Sequence, residues 1–241
     1  ALVNGSEPVL AATVERFRDA FGPCGLRPDA QRPSYGLAEA TVFVTAASRP
    51  KTTGFDRAAL ARGRVVVAED PERASVLVGC GGAVDQHLAI VDPATGAPVA
   101  GDRVGEIWVC GENVSPGYWS DARSGEDGFG ARLDVPGLPE GPWLRTGDLG
   151  VLHEGELYVV GRIKDLIVID GRNHYPQDVE AAATEADDVI RRGHVAAFAP
   201  GSIGVSASAF DGSQPTNPPA TRHDPVFDAP RARNTTRSAR S

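Results

Sequence analysis

Methionine is absent from the 241 residues. The chain therefore lacks an initiator and is expected to begin in mid-sequence at Ala1, processing being the other explanation. Lysine occurs only at 51 and 164, and every other basic residue is arginine. Chemistry that needs an amine thus has two candidates. The three cysteines, 24, 80 and 110, are far apart, with no CxxC and no Cys/His pair at zinc spacing. They read as reduced, inert thiols of a cytosolic protein, and no metal site built from protein ligands alone is expected. His153-Glu154 does not open an HExxH motif, because Leu157 stands where the second histidine belongs. No GxSxG is present, and Ser115 has no histidine near it in sequence. No apolar run approaches the roughly 20 residues that span a bilayer. No basic-then-apolar leader opens the chain, so a cytoplasmic location is expected. Basic excess is lacking too: the formal net charge is -8, which gives no reason to expect nucleic-acid or membrane-surface binding. There are no internal repeats.

What is present is ordinary globular composition, 41% hydrophobic and 23% charged. The stretch from Trp143 to Glu180 organises the rest. It holds Asp148 on an expected turn, then Gly161-Arg162, Lys164, a tight Asp170-Gly171 reversal and a helix start at Pro176. LYVV (157–160) and LIVI (166–169) read as strands with Gly161 to Asp165 between them. Charged groups held between two stiff strands are placed to grip a polar ligand, although TGD and GR also serve as plain turn chemistry.

Upstream, Leu10, Val14, Phe17 and Phe21 recur at helical spacing over Val9–Phe21, and Gly22-Pro23 stops that helix. Glu39 precedes the apolar run Val42–Val44. It is either an exposed residue at an element end or a ligand for a cation such as Mg²⁺, which favours carboxylate with phosphate oxygens. Short strands are expected at Val65–Ala68, Ser75–Gly82, Leu88–Asp92 and Glu106–Cys110, suggesting a small β-subdomain. GENVSPGYW (111–119) is a turn-rich segment with two aromatics. The helix from Pro176 carries Val179, Ala182, Ala183 and Ala186 on one face, and His194–Phe198 reads as a strand. From Ala199 the composition turns to Pro, Ser, Thr, Asn and Arg without apolar periodicity, which predicts disorder over 199–241.

Five motifs in order, NGSEP (4–8), SYGLAEAT (34–41), GEIWVCGENVSPGYW (105–119), RTGDLG (145–150) and GRIKDLIVIDGRNHYPQDVE (161–180), resemble the adenylate-forming acyl ligases. The wording YGLAEATVFVT and GRNHYPQDVE is most similar to fatty acyl-AMP ligases of actinobacterial type. The resemblance implies a mixed α/β (α+β) fold: 1–161 as the C-terminal part of the AMP-binding large domain with its β-barrel subdomain, 162–166 as a hinge, and 167–198 as the start of a small mobile domain. It leaves 199–241 as an out-of-family tail.

The implied reaction joins a fatty acid to the α-phosphate of ATP, releases pyrophosphate, and passes the acyl group to the phosphopantetheine thiol of an acyl carrier protein or polyketide synthase. By the same resemblance Gly5, Ser6 and Glu7 lie against adenine, Tyr35 stacks on its ring beside Gly36, and Asp148 accepts both ribose hydroxyls. Arg162 reaches ribose or phosphate, Glu39 holds Mg²⁺, and Lys164 is the hinge residue. Ala38 stands where many relatives have threonine. The family's Ser/Thr/Gly-rich phosphate loop and its terminal catalytic lysine have no counterpart here, so the chain reads as a fragment that is inactive alone. An acyl-CoA ligase, a non-catalytic nucleotide-binding remnant and a pseudogene product are the alternatives.

Overall fold

The structure is a computed structural model, and it describes residues 1–99, 101–119, 128–187, 189–191 and 194–199. The tail expected to be disordered lies outside these from residue 200 onward. The largest β unit is an antiparallel meander of β7 (His87–Val91), β8 (Gly105–Cys110), β9 (Leu144–His153) and β10 (Glu156–Arg162). Every residue of β8 is buried. Ile107 and Val109 pack with Tyr35, Ala40, Val44 and Leu157 on one face, whereas Trp108 and Cys110 pack with Val91, Leu133 and Trp143 on the other. A strand covered on both faces has no reason to alternate apolar with polar residues. The expected strands at 88–92 and 106–110 therefore appear nearly in place.

A second sheet contains β1 (Leu2–Asn4), β2 (Gln31–Tyr35), β3 (Thr45–Ala46) and β6 (Gly82–Ala83), with β1 and β2 parallel. β4 (Thr52–Asp56) pairs with β5 (Ala74–Val78), and β11 (Ile167–Ile169) pairs with β12 (Arg172–His174). The turn between β11 and β12 is the expected Asp170-Gly171, with φ of 51° and 71°. Positive φ at both central residues suits a two-residue hairpin.

Several expectations are corrected. Asp148 is not on a turn. It lies within the ten-residue β9. Gly161 and Arg162 still belong to β10, and only Ile163–Asp165 forms a short 3₁₀ turn before β11. Val65–Ala68 makes no strand, only an isolated bridge from Val67 to Phe55. No regular element occurs at 194–199.

Helix α1 (Ala11–Phe21) ends where Gly22-Pro23 predicts, and a single turn, α2 (Arg57–Leu60), follows β4. Of its expected apolar face only Val14 is buried, and Phe17 and Phe21 stack on each other with ring centroids 4.5 Å apart. Helix α3 (Pro176–Ala186) starts at its proline, but Val179, Ala182 and Ala186 are exposed and Ala183 is half-buried. Spacing marks which residues share a face and cannot tell whether anything covers it.

Candidate nucleotide-binding site

The β9–β10 hairpin builds the site. Its turn, Glu154-Gly155, has φ of 51° and 77°, the pattern of a two-residue hairpin connection. From there β9 and β10 pair in simple register as far as Val159↔Gly150, after which the register shifts by one residue. The extra residue is Val160, which points into the core beside Leu149, Val151 and Tyr175. Because of this bulge Arg162 faces Asp148. In the uninterrupted register Gly161 would face Asp148, and the arginine would be one position out of step.

The two side chains meet. Arg162 Nε donates to Asp148 Oδ1 at 3.0 Å, and the Tyr35 hydroxyl donates to Asp148 Oδ2 at 2.7 Å. Asp148 is 6% exposed, whereas the Arg162 side chain is 57% exposed. The guanidinium thus bonds the carboxylate through one nitrogen while its outer part faces solvent. Each carboxylate oxygen carries a second acceptor site, so Asp148 keeps capacity for two further donors. Burial first, then the neighbouring Asp148 charge, pushes the Tyr35 phenol far above its ordinary value. Tyr35 therefore stays protonated and serves as a donor.

These groups line one cavity of about 360 Å³. Its wall includes Ser6 and Glu7 from the first loop, Tyr35 and Gly36 at the end of β2, Asp148 and Arg162 from the hairpin, and Gln177 and Asp178 from α3. Leu77, Val78 and Val160 supply an apolar side. Gly36 is required by close approach: a Cβ there would lie 1.8 Å from the Val42 carbonyl oxygen. Of the expected residues, Gly5 sits just before the wall and packs on Ser34. Lys164 lines a neighbouring hollow with Asp165 and Glu180. Glu39 lies outside the wall, half-buried, with Oε1 accepting from the Tyr118 hydroxyl at 2.6 Å. Among the described residues no three His, Cys, Asp or Glu side chains gather as a metal-binding group.

One supporting residue escaped the sequence reading. Glu106, 2% exposed, accepts from Trp108 Nε1 at 2.9 Å, Arg145 Nε at 3.1 Å and the Gly147 N–H at 3.1 Å. It fixes the backbone immediately before Asp148. An acidic residue one position into a run of buried apolar residues was the available signal.

An aromatic ring and a buried carboxylate with spare acceptor sites at one cavity suit a nucleoside. The sequence model of the AMP-binding enzyme family matches residues 1–119. The chain is similar to fatty-acid–AMP ligases. It is 45% identical to the long-chain-fatty-acid–AMP ligase FadD32 of Mycolicibacterium smegmatis, over 82% of this chain and 34% of that protein. It is 48% identical to the 4-hydroxyphenylalkanoate adenylyltransferase of Mycobacterium tuberculosis, over 82% of this chain and 32% of that one. Among solved structures, a fatty acyl-adenylate ligase from L. pneumophila in complex with acyl adenylate and pyrophosphate matches with a TM-score of 0.61. The identity there is 42%, covering 81% of this chain and 34% of that one. The chain spans about a third of the length of the curated relatives it matches. Among the described residues no helix is long and apolar enough to cross a membrane.

Proposed function

We propose that this chain is the nucleotide-gripping portion of a fatty acid–AMP ligase. In the reaction a fatty-acid carboxylate oxygen attacks the α-phosphorus of ATP, the α–β phosphoanhydride bond breaks, and pyrophosphate leaves. The acyl group then passes from AMP to a thiol, that of the phosphopantetheine arm of an acyl carrier protein or polyketide synthase. The observation that carries this reading is the Tyr35–Asp148–Arg162 arrangement at the cavity. Asp148 accepts the ribose hydroxyls through its remaining acceptor sites. Arg162 turns its outer guanidinium edge to ribose or phosphate oxygens. Tyr35 packs its ring on adenine, with Gly5, Ser6, Glu7 and Gly36 bounding the base.

Glu39 would supply one hard oxygen ligand to Mg²⁺, an ion that suits carboxylate together with phosphate and water oxygens and needs no protein cage. The ion would offset phosphate charge. Residues 1–161 belong to the large domain, 162–166 act as the hinge with Lys164 at its centre, and 167–198 begin the small domain. In support, the 3₁₀ turn at Ile163–Asp165 separates the hairpin from β11, and Tyr175 docks back by donating to the Leu60 carbonyl at 3.3 Å.

The chain by itself binds the nucleotide without turnover. Its only lysines are Lys51, which pairs with Glu154 at 2.7 Å, and Lys164 at the hinge. The test is calorimetric titration of the 241-residue chain with a non-hydrolysable acyl-adenylate mimic. Wild type binds and Asp148→Ala does not, with no pyrophosphate released from ATP and fatty acid. Equal binding by both proteins, or by neither, overturns the assignment.

A further inference from the structure

The loop that carries Glu39 is held in a backbone conformation its sequence disfavours. Thr41 and Val42 have φ of 54° and 69°. Both are β-branched, and the left-handed region crowds Cβ against the backbone, most severely for branched side chains. Val42 is 68% exposed, so burial of its side chain does not hold it there. The restraint comes from the segment after β8. Asn113 Nδ2 donates to the carbonyls of Ala40 at 2.8 Å and Phe43 at 3.0 Å, the residues flanking the strained pair. Thr41 Oγ1 donates to the Asn113 carbonyl at 2.7 Å, and the Ser115 N–H donates to the Glu39 carbonyl at 2.8 Å. The Tyr118 hydroxyl reaches Glu39 itself.

Gln86 adds a second amide, its Nε2 donating to the Val44 carbonyl at 2.6 Å and the Phe43 carbonyl at 3.2 Å. Gly111 lets the two amides converge, since a Cβ there would lie 2.7 Å from Gln86 Cβ and 2.8 Å from Asn113 Oδ1. The orientation of the Asn113 amide follows from its partners. Both are carbonyl oxygens, which only accept, so the NH₂ end must face them.

We propose that Asn113 is a positioning residue. Its amide, bridging Ala40 and Phe43, keeps the left-handed turn closed and so fixes where Glu39 presents its carboxylate. The clamp stands on these contacts alone. Its consequence for Mg²⁺ rests on the function proposed above.

The test compares Asn113→Ala, Asn113→Asp, Val42→Gly and the Asn113→Ala/Val42→Gly double variant of the 241-residue chain. Hydrogen–deuterium exchange over residues 37–46 reads the clamp. The amides of Ala40, Thr41 and Val42 donate to the carbonyls of Leu37, Ala38 and Leu37 and report turn closure. Asn113→Ala speeds their exchange roughly ten-fold, about the worth of one hydrogen bond. Asn113→Asp does at least as much, because a carboxylate cannot donate to two carbonyls. Val42→Gly restores protection in the Asn113→Ala background, since glycine takes positive φ without a steric cost.

The second readout is the Mg²⁺ concentration that half-saturates ATP binding, measured by calorimetry. Asn113→Ala raises it and added Val42→Gly returns it, whereas Glu39→Gln removes the Mg²⁺ dependence. Unchanged exchange in both Asn113 variants, or no restoration by Val42→Gly, overturns the proposal. So does an unshifted Mg²⁺ requirement in Asn113→Ala when Glu39→Gln abolishes it. If Glu39→Gln also leaves the requirement untouched, the metal role of Glu39 fails while the exchange data still decide the clamp. Val42→Gly keeps every clamp contact and relieves strain, so it remains informative should Asn113→Ala not fold.

Discussion

Replacing Glu106 tests whether a buried carboxylate sets the position of Asp148. Three donors converge on it: Trp108 Nε1, Arg145 Nε and the Gly147 N–H. Alanine removes the acceptor from all three. The buried Trp108 donor and the half-buried Gly147 donor lose their acceptor, and each unsatisfied group costs about 1–3 kcal/mol. Arg145 behaves differently. Its side chain is 42% exposed, so it turns to water, and the lost ion pair is worth at most about 1 kcal/mol after screening. The sum for Glu106→Ala is about 2–7 kcal/mol, which brackets the roughly 3–5 kcal/mol for breaking a buried charged pair. For a unit of this size that lowers Tm by about 4–28 °C. Glu106→Gln keeps the volume and one carbonyl oxygen, so it loses part of the set, about 1–3 kcal/mol. Thermal unfolding followed by circular dichroism at neutral pH gives the order wild type, Gln, Ala. Calorimetry with the acyl-adenylate mimic follows that order, because Gly147 precedes Asp148. A Tm for Glu106→Ala within about 2 °C of wild type, or a Gln variant as unstable as Ala, would refute the reasoning.

Three other outcomes follow from the same geometry. Tyr35→Phe removes the hydroxyl that donates to Asp148 and costs about 1.5–3 kcal/mol in urea unfolding, while the ring and mimic binding are retained; an unchanged midpoint counts against it. Burial, with the Glu156 charge adding to it, pushes the Cys80 thiol up to about 12, so at pH 8 it stays protonated and resists iodoacetamide while exposed Cys24 reacts. Peptide mass spectrometry checks this, and equal labelling of the two would contradict it. Gly36→Ala forces a methyl onto the Val42 carbonyl and costs more than about 3 kcal/mol, and a near-normal Tm would show that the loop yields more easily than its contacts indicate.

The parts legible in the sequence were those whose signal is local. The Asp170-Gly171 reversal, the proline opening α3 and the β-branched run of β10 all act within a few residues. Asp148 was misplaced onto a turn because Thr-Gly-Asp reads as turn chemistry. Gly147 does have φ of 72°, yet Glu106, far away in sequence, pins it inside a strand. The strand β2 contains Gln31, Arg32 and Pro33 and owes its form to pairing with β1 and β3, which no local pattern announces. Asn113 looked like one polar residue in a turn, and its partners are some 70 positions away. Of the candidate site, the motifs named Asp148, Arg162 and Tyr35 but not the Val160 bulge that aligns the first two.

That bulge makes residue count, not residue identity, the quantity that matters between positions 148 and 162. Inserting one residue after Val160 would leave every functional group in the chain and still turn the arginine away from the carboxylate, because a strand presents neighbouring residues to opposite sides. Deleting Val160 itself would only remove the bulge and keep Arg162 opposite Asp148. Substitutions along this hairpin should thus be absorbed far more readily than added length.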